Sequence, residues 1–367
     1  SMRSLPIDST SGIPKGWTVI DDTEYLTLTA LGSGTITITI PDIIDSTHVT
    51  SLSYSKDKLN WTKTIINNTE KIISISVSSG ENVYLKGIAL QLYNDSGSGI
   101  RINSTENINV SGNIMSLLYG DNFKDKTSLP NGSEWTFAQL FRDNTHLINT
   151  KNLILPATLL TNRCYSGMFW GCSSLTTAPE LPATELASSC YDNMFRGCSS
   201  LTTAPELPAT ILTDRCYYNM FSSCSSLTTA PELRSTNLAS RCYSGMFYDC
   251  TSLTTAPELN ATTLTYWCYS GMFYGCTSLT TAPALPATTL TDRCYYNMFQ
   301  NCTSLTTAPE LPATVLTTDC YSGMFYNCSN LSSITMLATD ISATNCLYTW
   351  VNGVAATGTF VKAPSMT

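Results

Sequence analysis

Histidine is nearly absent from this chain of 367 residues, which holds only His48 and His146. Charge is also scarce, at 13% of residues where about a quarter is usual. What charge there is leaves a formal net of −8. Each shortage excludes something. A Cys-His nucleophile has almost no material to work with. Zinc sites want histidine or close cysteine pairs such as C-x2-C, and the chain has no such pair and only those two histidines. Nucleic acid and anionic membrane both require a basic face, and no basic patch is visible. No glycine-rich loop suited to phosphate occurs. No apolar run is long enough to span a membrane. Ser1-Met2-Arg3-Ser4 opens without the apolar centre of a signal peptide, so the chain reads as matured or as a fragment.

What is abundant is serine, threonine and cysteine, and the cysteines set the organisation. Cys164, Cys190, Cys216, Cys242, Cys268, Cys294, Cys320 and Cys346 step by 26 residues, as do Cys172, Cys198, Cys224, Cys250, Cys276, Cys302 and Cys328. A fixed period of this size means stacked repeats. It is too short for a four-stranded propeller blade and suits one strand plus one helical segment per turn. In Cys164-Tyr-Ser-Gly-Met-Phe-Trp-Gly-Cys172, a helical wheel gathers Cys164, Tyr165, Met168, Phe169 and Cys172 within roughly 140°. That set hardly varies between units, while the other positions do: Trp170 becomes Arg196, Ser222 and Tyr248. The reading is one or two helical turns with a fixed inner face and a changing outer one. Leu175, Thr177 and Leu181 fit an extended run. Pro179 and Pro182 confine ladder pairing to the Thr-Thr-Ala stretch. Helices spaced at about 8–10 Å beside strands at about 4.8 Å would bend the array. At helix spacing the cysteines stand too far apart for disulfides, so they are expected as free thiols packed in the core.

Phe137 to Leu147 matches Tyr165 to Leu175, with Thr136 and Asn144 in place of cysteines, and predicts a degenerate N-terminal cap. Cys346 to Val351, with Trp350-Val351 for Met-Phe, followed by Val354–Lys362, predicts a C-terminal cap strand. Upstream, Tyr25–Ala30, Thr35–Ile40 and Ile73–Val77 alternate with period two between turn signals. They predict a small β-sandwich with Trp17, Trp61 and Tyr84 in its core. The fold class is therefore a mixed α/β repeat: a curved leucine-rich-repeat solenoid of seven units plus caps, behind an all-β sandwich-like domain. The expected divisions are a linker over 1–14, the β domain over 15–112, a connector and cap over 113–158, the solenoid over 159–336, and a C-terminal cap and linker over 337–367. The terminal Ala363-Pro364-Ser365-Met366-Thr367 reads like a lead-in to Ser1-Met2-Arg3-Ser4-Leu5-Pro6, as in tandem modules. The alternative is that Ser1-Met2 is a remnant of cloning.

Met168-Phe169, Cys172, Leu175 and Pro182, repeated in phase over roughly 136–350, resemble the BspA-like leucine-rich repeats of bacterial surface proteins. The unit here is a few residues longer, around Ala-Pro-Glu-Leu-Pro. The Cys-Tyr-x-x-Met-Phe variant is similar to sequences common in gut Bacteroidetes. Tyr54–Trp61 also resembles the β-rich module that precedes such arrays. The resemblance implies a cell-surface or secreted location and adhesion, with no catalytic residues.

Two surfaces are candidates for binding. On the outer face of the turns stand Trp170, Tyr218, Tyr248, Trp267, Tyr274, Tyr296 and Tyr326, which suit a protein interface or a sugar. They could instead only cover neighbouring units. On the strand side, Glu180, Glu206, Glu232, Glu258 and Glu310 form a column that would suit calcium or a basic partner. Alternatively it is a solvated edge offset by Arg163, Arg215, Arg241 and Arg293. The expected function is non-catalytic recognition of a protein or glycan by a monomer, with no cofactor, metal, nucleic acid or membrane insertion. A structural spacer is the alternative, and a carbohydrate-active enzyme a remote one.

Overall fold

A computed structural model describes residues 12–14, 21–94 and 96–366. Trp17, Ser1–Pro6 and Thr367, on which expectations above rest, lie outside the described residues. The first strands are β1 (Leu26–Ala30), β2 (Gly34–Ile40), β3 (Val49–Ser55), β4 (Thr62–Ile65), β5 (Lys71–Val77) and β6 (Asn82–Ala89). The short β7 (Tyr93–Asn94) and β8 (Ser98–Gly99) pair with each other, and β9 (Arg101–Ser104) and β10 (Ile108–Asn113) follow. In the order β5-β2-β9, three of these make one antiparallel sheet. A larger sheet runs β10-β1-β6-β3-β4.

Strand parity decides what each sheet buries. In β2, Ile36, Ile38 and Ile40 are buried while Thr35, Thr37 and Thr39 are half-exposed, and Ile36 faces Ile75 across the ladder. Leu26, Leu28 and Ala30 of β1 belong to the same buried cluster. Trp61 and Tyr84, expected in the core, are outside it. Tyr84 falls between the inward Val83 and Leu85, and Lys58 lies 4.9 Å from its ring centre. Trp61 lies under the Lys86 ammonium at 4.1 Å. The buried cluster to which these strands contribute draws on their aliphatic side chains instead.

The expected boundary at residue 112 falls inside β10. This strand pairs in parallel with β11 (Leu147–Asn149) and β12 (Leu153–Ile154), so one sheet crosses into the repeat region. The Ile102 N–H donates to the Leu140 carbonyl at 2.8 Å, and the Ile108 N–H donates to the His146 carbonyl at 2.9 Å. Residues 100–114 thus take the place of a preceding coil. The unit from Phe137 to Leu147 does stack as a repeat: Phe137 lies on Tyr165 at 6.0 Å and Phe141 on Phe169 at 5.7 Å. Asn144, in a cysteine position, is fully buried and accepts a hydrogen bond from the Ser104 hydroxyl at 3.3 Å.

Along the repeats, every inward position forms a column. Tyr165, Tyr191 and Tyr217 stack with centroids 5.9 and 6.1 Å apart, and Phe169, Phe195 and Phe221 at 5.5 and 5.6 Å. The Thr-Thr-Ala stretch pairs as expected, but as single parallel bridges: Thr203 with Thr229, Thr229 with Thr255, Thr255 with Thr281. A second column of bridges joins Ile211 to Asn237 and Thr263 to Thr289.

The segment between the cysteines is not helical. Among the described residues the α-helix is α1 (Ser116–Tyr119), which precedes the repeats in sequence, so the mixed α/β reading fails in them. Instead the segment is a ribbon of consecutive turns. Met168 N–H donates to Tyr165 O and Cys172 N–H to Phe169 O, each three residues back. The N–H groups between them reach the next unit: Tyr165 to Cys190 O, Gly167 to Asp192 O and Phe169 to Met194 O, at 2.8–3.0 Å. Each fourth residue takes a left-handed φ, as at Arg163, Gly167 and Gly171 or Arg215, Asn219 and Ser223. A four-residue period places Cys, Tyr, Met, Phe and Cys inward just as a helix would over nine residues. The backbone donors are thereby shared between turn and neighbour rather than spent along an axis.

Stacking by backbone hydrogen bonds brings units closer than helices could approach, and the width argument for curvature loses its premise. The spacing argument against disulfides loses it as well. All fifteen cysteines are nonetheless free and buried. The second series ties units together, as Cys198 Sγ donates to Phe169 O and Cys224 Sγ to Phe195 O at 3.1 Å. At the far end, β13 (Ser333–Met336) pairs in parallel with the exposed β14 (Thr359–Lys362). Trp350 covers both aromatic columns, 6.3 Å from Tyr321 and 6.2 Å from Phe325.

Candidate functional site

The outward positions of the turn ribbons converge on a groove of about 750 Å³ spanning several consecutive units. Tyr218, Tyr248, Trp267, Tyr274 and Tyr296, five of the seven aromatic positions singled out from sequence, line it. Tyr248 and Tyr274, one unit apart, stack with centroids 4.3 Å apart and planes 5° from parallel. Burial, and then the Tyr274 hydroxyl, push the Tyr248 phenol up to about 12. Trp267 meets Tyr296 edge-on at 5.4 Å and Tyr266 edge-on at 5.8 Å. Trp170 flanks the groove, clamped between the guanidinium groups of Arg142 at 4.0 Å and Arg196 at 4.8 Å. Tyr326 is half-buried and does not line it.

The arginines are the feature that sequence reasoning misplaced. Arg215 and Arg241, expected beside the glutamate column, line this groove together with Arg196, and no carboxylate does. Arg215 stacks on Tyr218 at 4.1 Å, and Arg241 lies 5.5 Å from Trp267. Arg293 approaches Trp267 at 5.0 Å while pairing with Asp319 at 3.0 Å. Arg163 lies over Trp135 at 4.8 Å. The signal was present: Arg163, Arg215, Arg241 and Arg293 each stand one residue before a cysteine, the position that Trp267 occupies in its unit.

The glutamate column lies elsewhere. Glu180, Glu206, Glu232, Glu258 and Glu310 are all exposed. The arginine that meets them is Arg234, which replaces the proline of other units. It reaches Glu232 at 3.2 Å and Glu206 at 3.9 Å. Among the described residues no group of three His, Cys, Asp or Glu side chains is placed to hold a metal ion. The thiols are poor nucleophiles here, because burial pushes them up, to about 12 at Cys164. Among the described residues no helix is long and apolar enough to cross a membrane.

The model of the BspA type leucine rich repeat region matches in six copies over residues 146–280 and 243–349, more than half of the chain. No curated protein and no solved structure matches.

Proposed function

Because this chain belongs to the BspA-type leucine-rich-repeat family, we propose that it is a recognition module, secreted or displayed on a bacterial surface, that binds a protein or glycan without chemistry. We read its array as a solenoid of seven 26-residue units between caps, with a β-sandwich ahead of it. One observation carries the reading. The inward columns repeat almost unchanged, while the outward positions vary from unit to unit and enclose a groove lined by aromatic rings and arginines. A scaffold that only spaced other domains would have no use for costly, half-buried tryptophan and arginine on that face. Screening the chain against arrays of glycans and matrix proteins should find a ligand, and Trp170→Ala with Tyr248→Ala should weaken it without lowering the melting temperature. An array on which nothing binds would assign the chain to spacing instead.

A further inference from the structure

We propose that the turn-face groove takes an acidic polysaccharide, a chain of sugars bearing sulfate esters or carboxylates. This deepens the recognition reading and rests on it. The first ground is charge. On a chain of formal charge −8, three guanidinium groups and no carboxylate line this one groove. Among the described residues Arg215 and Arg241 have no carboxylate within ion-pair distance, although Arg215 is near enough to the buried Asp192 to favour its ionised form, and Arg196 donates to the Asn193 amide at 3.3 Å and stacks on Trp170. A guanidinium stacked flat on a ring keeps its N–H edge free, and that edge fits the paired oxygens of a sulfate or carboxylate.

The second ground is backbone cost. Arg215 and Arg241 sit at φ of 56° and 54°, in the left-handed region that bulky residues avoid. Other units place Ser189 or Asn345 there. Arg163 and Arg293 bear the same strain, at φ of 55° and 58°, and each lies against a tryptophan ring, so the ribbon accepts arginine at this position where a ring holds the side chain. The third ground favours sugar over peptide. No aliphatic side chain lines the groove, so the apolar anchors of a protein partner would find no pocket. The lining offers ring faces, where the weakly positive C–H edges of a pyranose can rest, and amides such as Asn219, Asn297 and Gln300 for its hydroxyls. The lattice of units repeats along the groove, and so does the polymer.

The test measures the full-length chain against surfaces of dextran sulfate, polygalacturonate, plain dextran, polyglutamate and a single-stranded oligonucleotide. Binding is expected to dextran sulfate or polygalacturonate, and whichever of them binds identifies sulfate or carboxylate as the recognised group. The variant R196S/R215S/R241S borrows the serines that other units carry at those positions, Ser222 and Ser189. It should bind roughly tenfold or more weakly, the loss expected of charge-assisted hydrogen bonds, with an unchanged circular dichroism spectrum showing that the fold is kept. Equal binding to plain dextran overturns the acidic part of the proposal. Equal binding to polyglutamate or the oligonucleotide overturns the sugar part. If no acidic glycan binds but another array ligand does and is lost with Tyr248→Ala, the ligand class is wrong and the recognition reading stands. If nothing binds at all, both fall.

Discussion

Asp192 shows how one residue can depart from its column. Where Ser166 and two tyrosines do not stand, the equivalent positions carry Ser244, Ser270 and Ser322, whose hydroxyls donate to the carbonyls of Ser270, Tyr296 and Tyr348 in the next unit. A carboxylate cannot donate, and one oxygen of Asp192 is buried without a partner. Burial pushes its pKa up to about 6, against the pull of the Ser166 hydroxyl, Arg215 and Arg163. The sign follows from linkage. Below about 4 the group is neutral folded or unfolded and costs nothing. Between about 4 and 6 the folded state keeps a proton that the unfolded state releases. Above 6 the buried charge is a full penalty, on the order of 2–3 kcal/mol. Asp192→Ser should therefore raise the melting temperature at pH 7, with the gain vanishing near pH 4. A gain equal at both pH values would show that the effect is packing rather than ionisation.

At the scale of the element, the turn ribbon accounts for the Gly, Asn and Asp residues at every fourth position. They are the residues that reach left-handed φ most cheaply. They also fit between units. Gly275 has a φ of 72°, and a Cβ placed there would meet the Asp249 carboxylate oxygen of the unit before at 1.9 Å. Asn297 leans over Gly323 in the same way. Gly275→Ala should cost about 1–2 kcal/mol from the backbone alone, and more from the contact. In urea unfolding, Asp249→Gly combined with Gly275→Ala should recover the contact part but not the backbone part. Strictly additive effects would mean that the Asp249 carboxylate swings aside at no cost.

At the scale of the molecule, the β domain is the template on which the repeats begin. A parallel ladder with an open end is an invitation to associate, and β10 closes it by pairing with β11 and β12. A chain beginning after β10 should expose Phe137, Phe141 and the buried Asn144. It is expected to self-associate and to melt over a broad range, as followed by light scattering and circular dichroism. A monomer with a sharp transition would show that the array closes its own end. The opposite end is closed differently, by the bulk of Trp350 across both aromatic columns.

The repeat, its register, its inward columns and its degenerate ends were determined by the sequence alone, because a period of 26 residues is visible in the cysteines without any coordinates. So was the alternation of β1, β2 and β5, since strand parity is local. The turn ribbon was written less plainly. Over nine residues a period of four and a period of 3.6 put the same side chains inward, and only the glycines and asparagines at Gly167, Gly171, Asn193 and Gly197 argued against a helix. Five of the seven aromatic positions named from sequence line one groove, but the arginines beside them were not placed there. Which face receives Arg215 and Arg241 depends on backbone that turns left-handed at that position and on hydrogen bonds reaching the next unit. Those are relations between residues about 26 apart in sequence, and stacking alone brings them together.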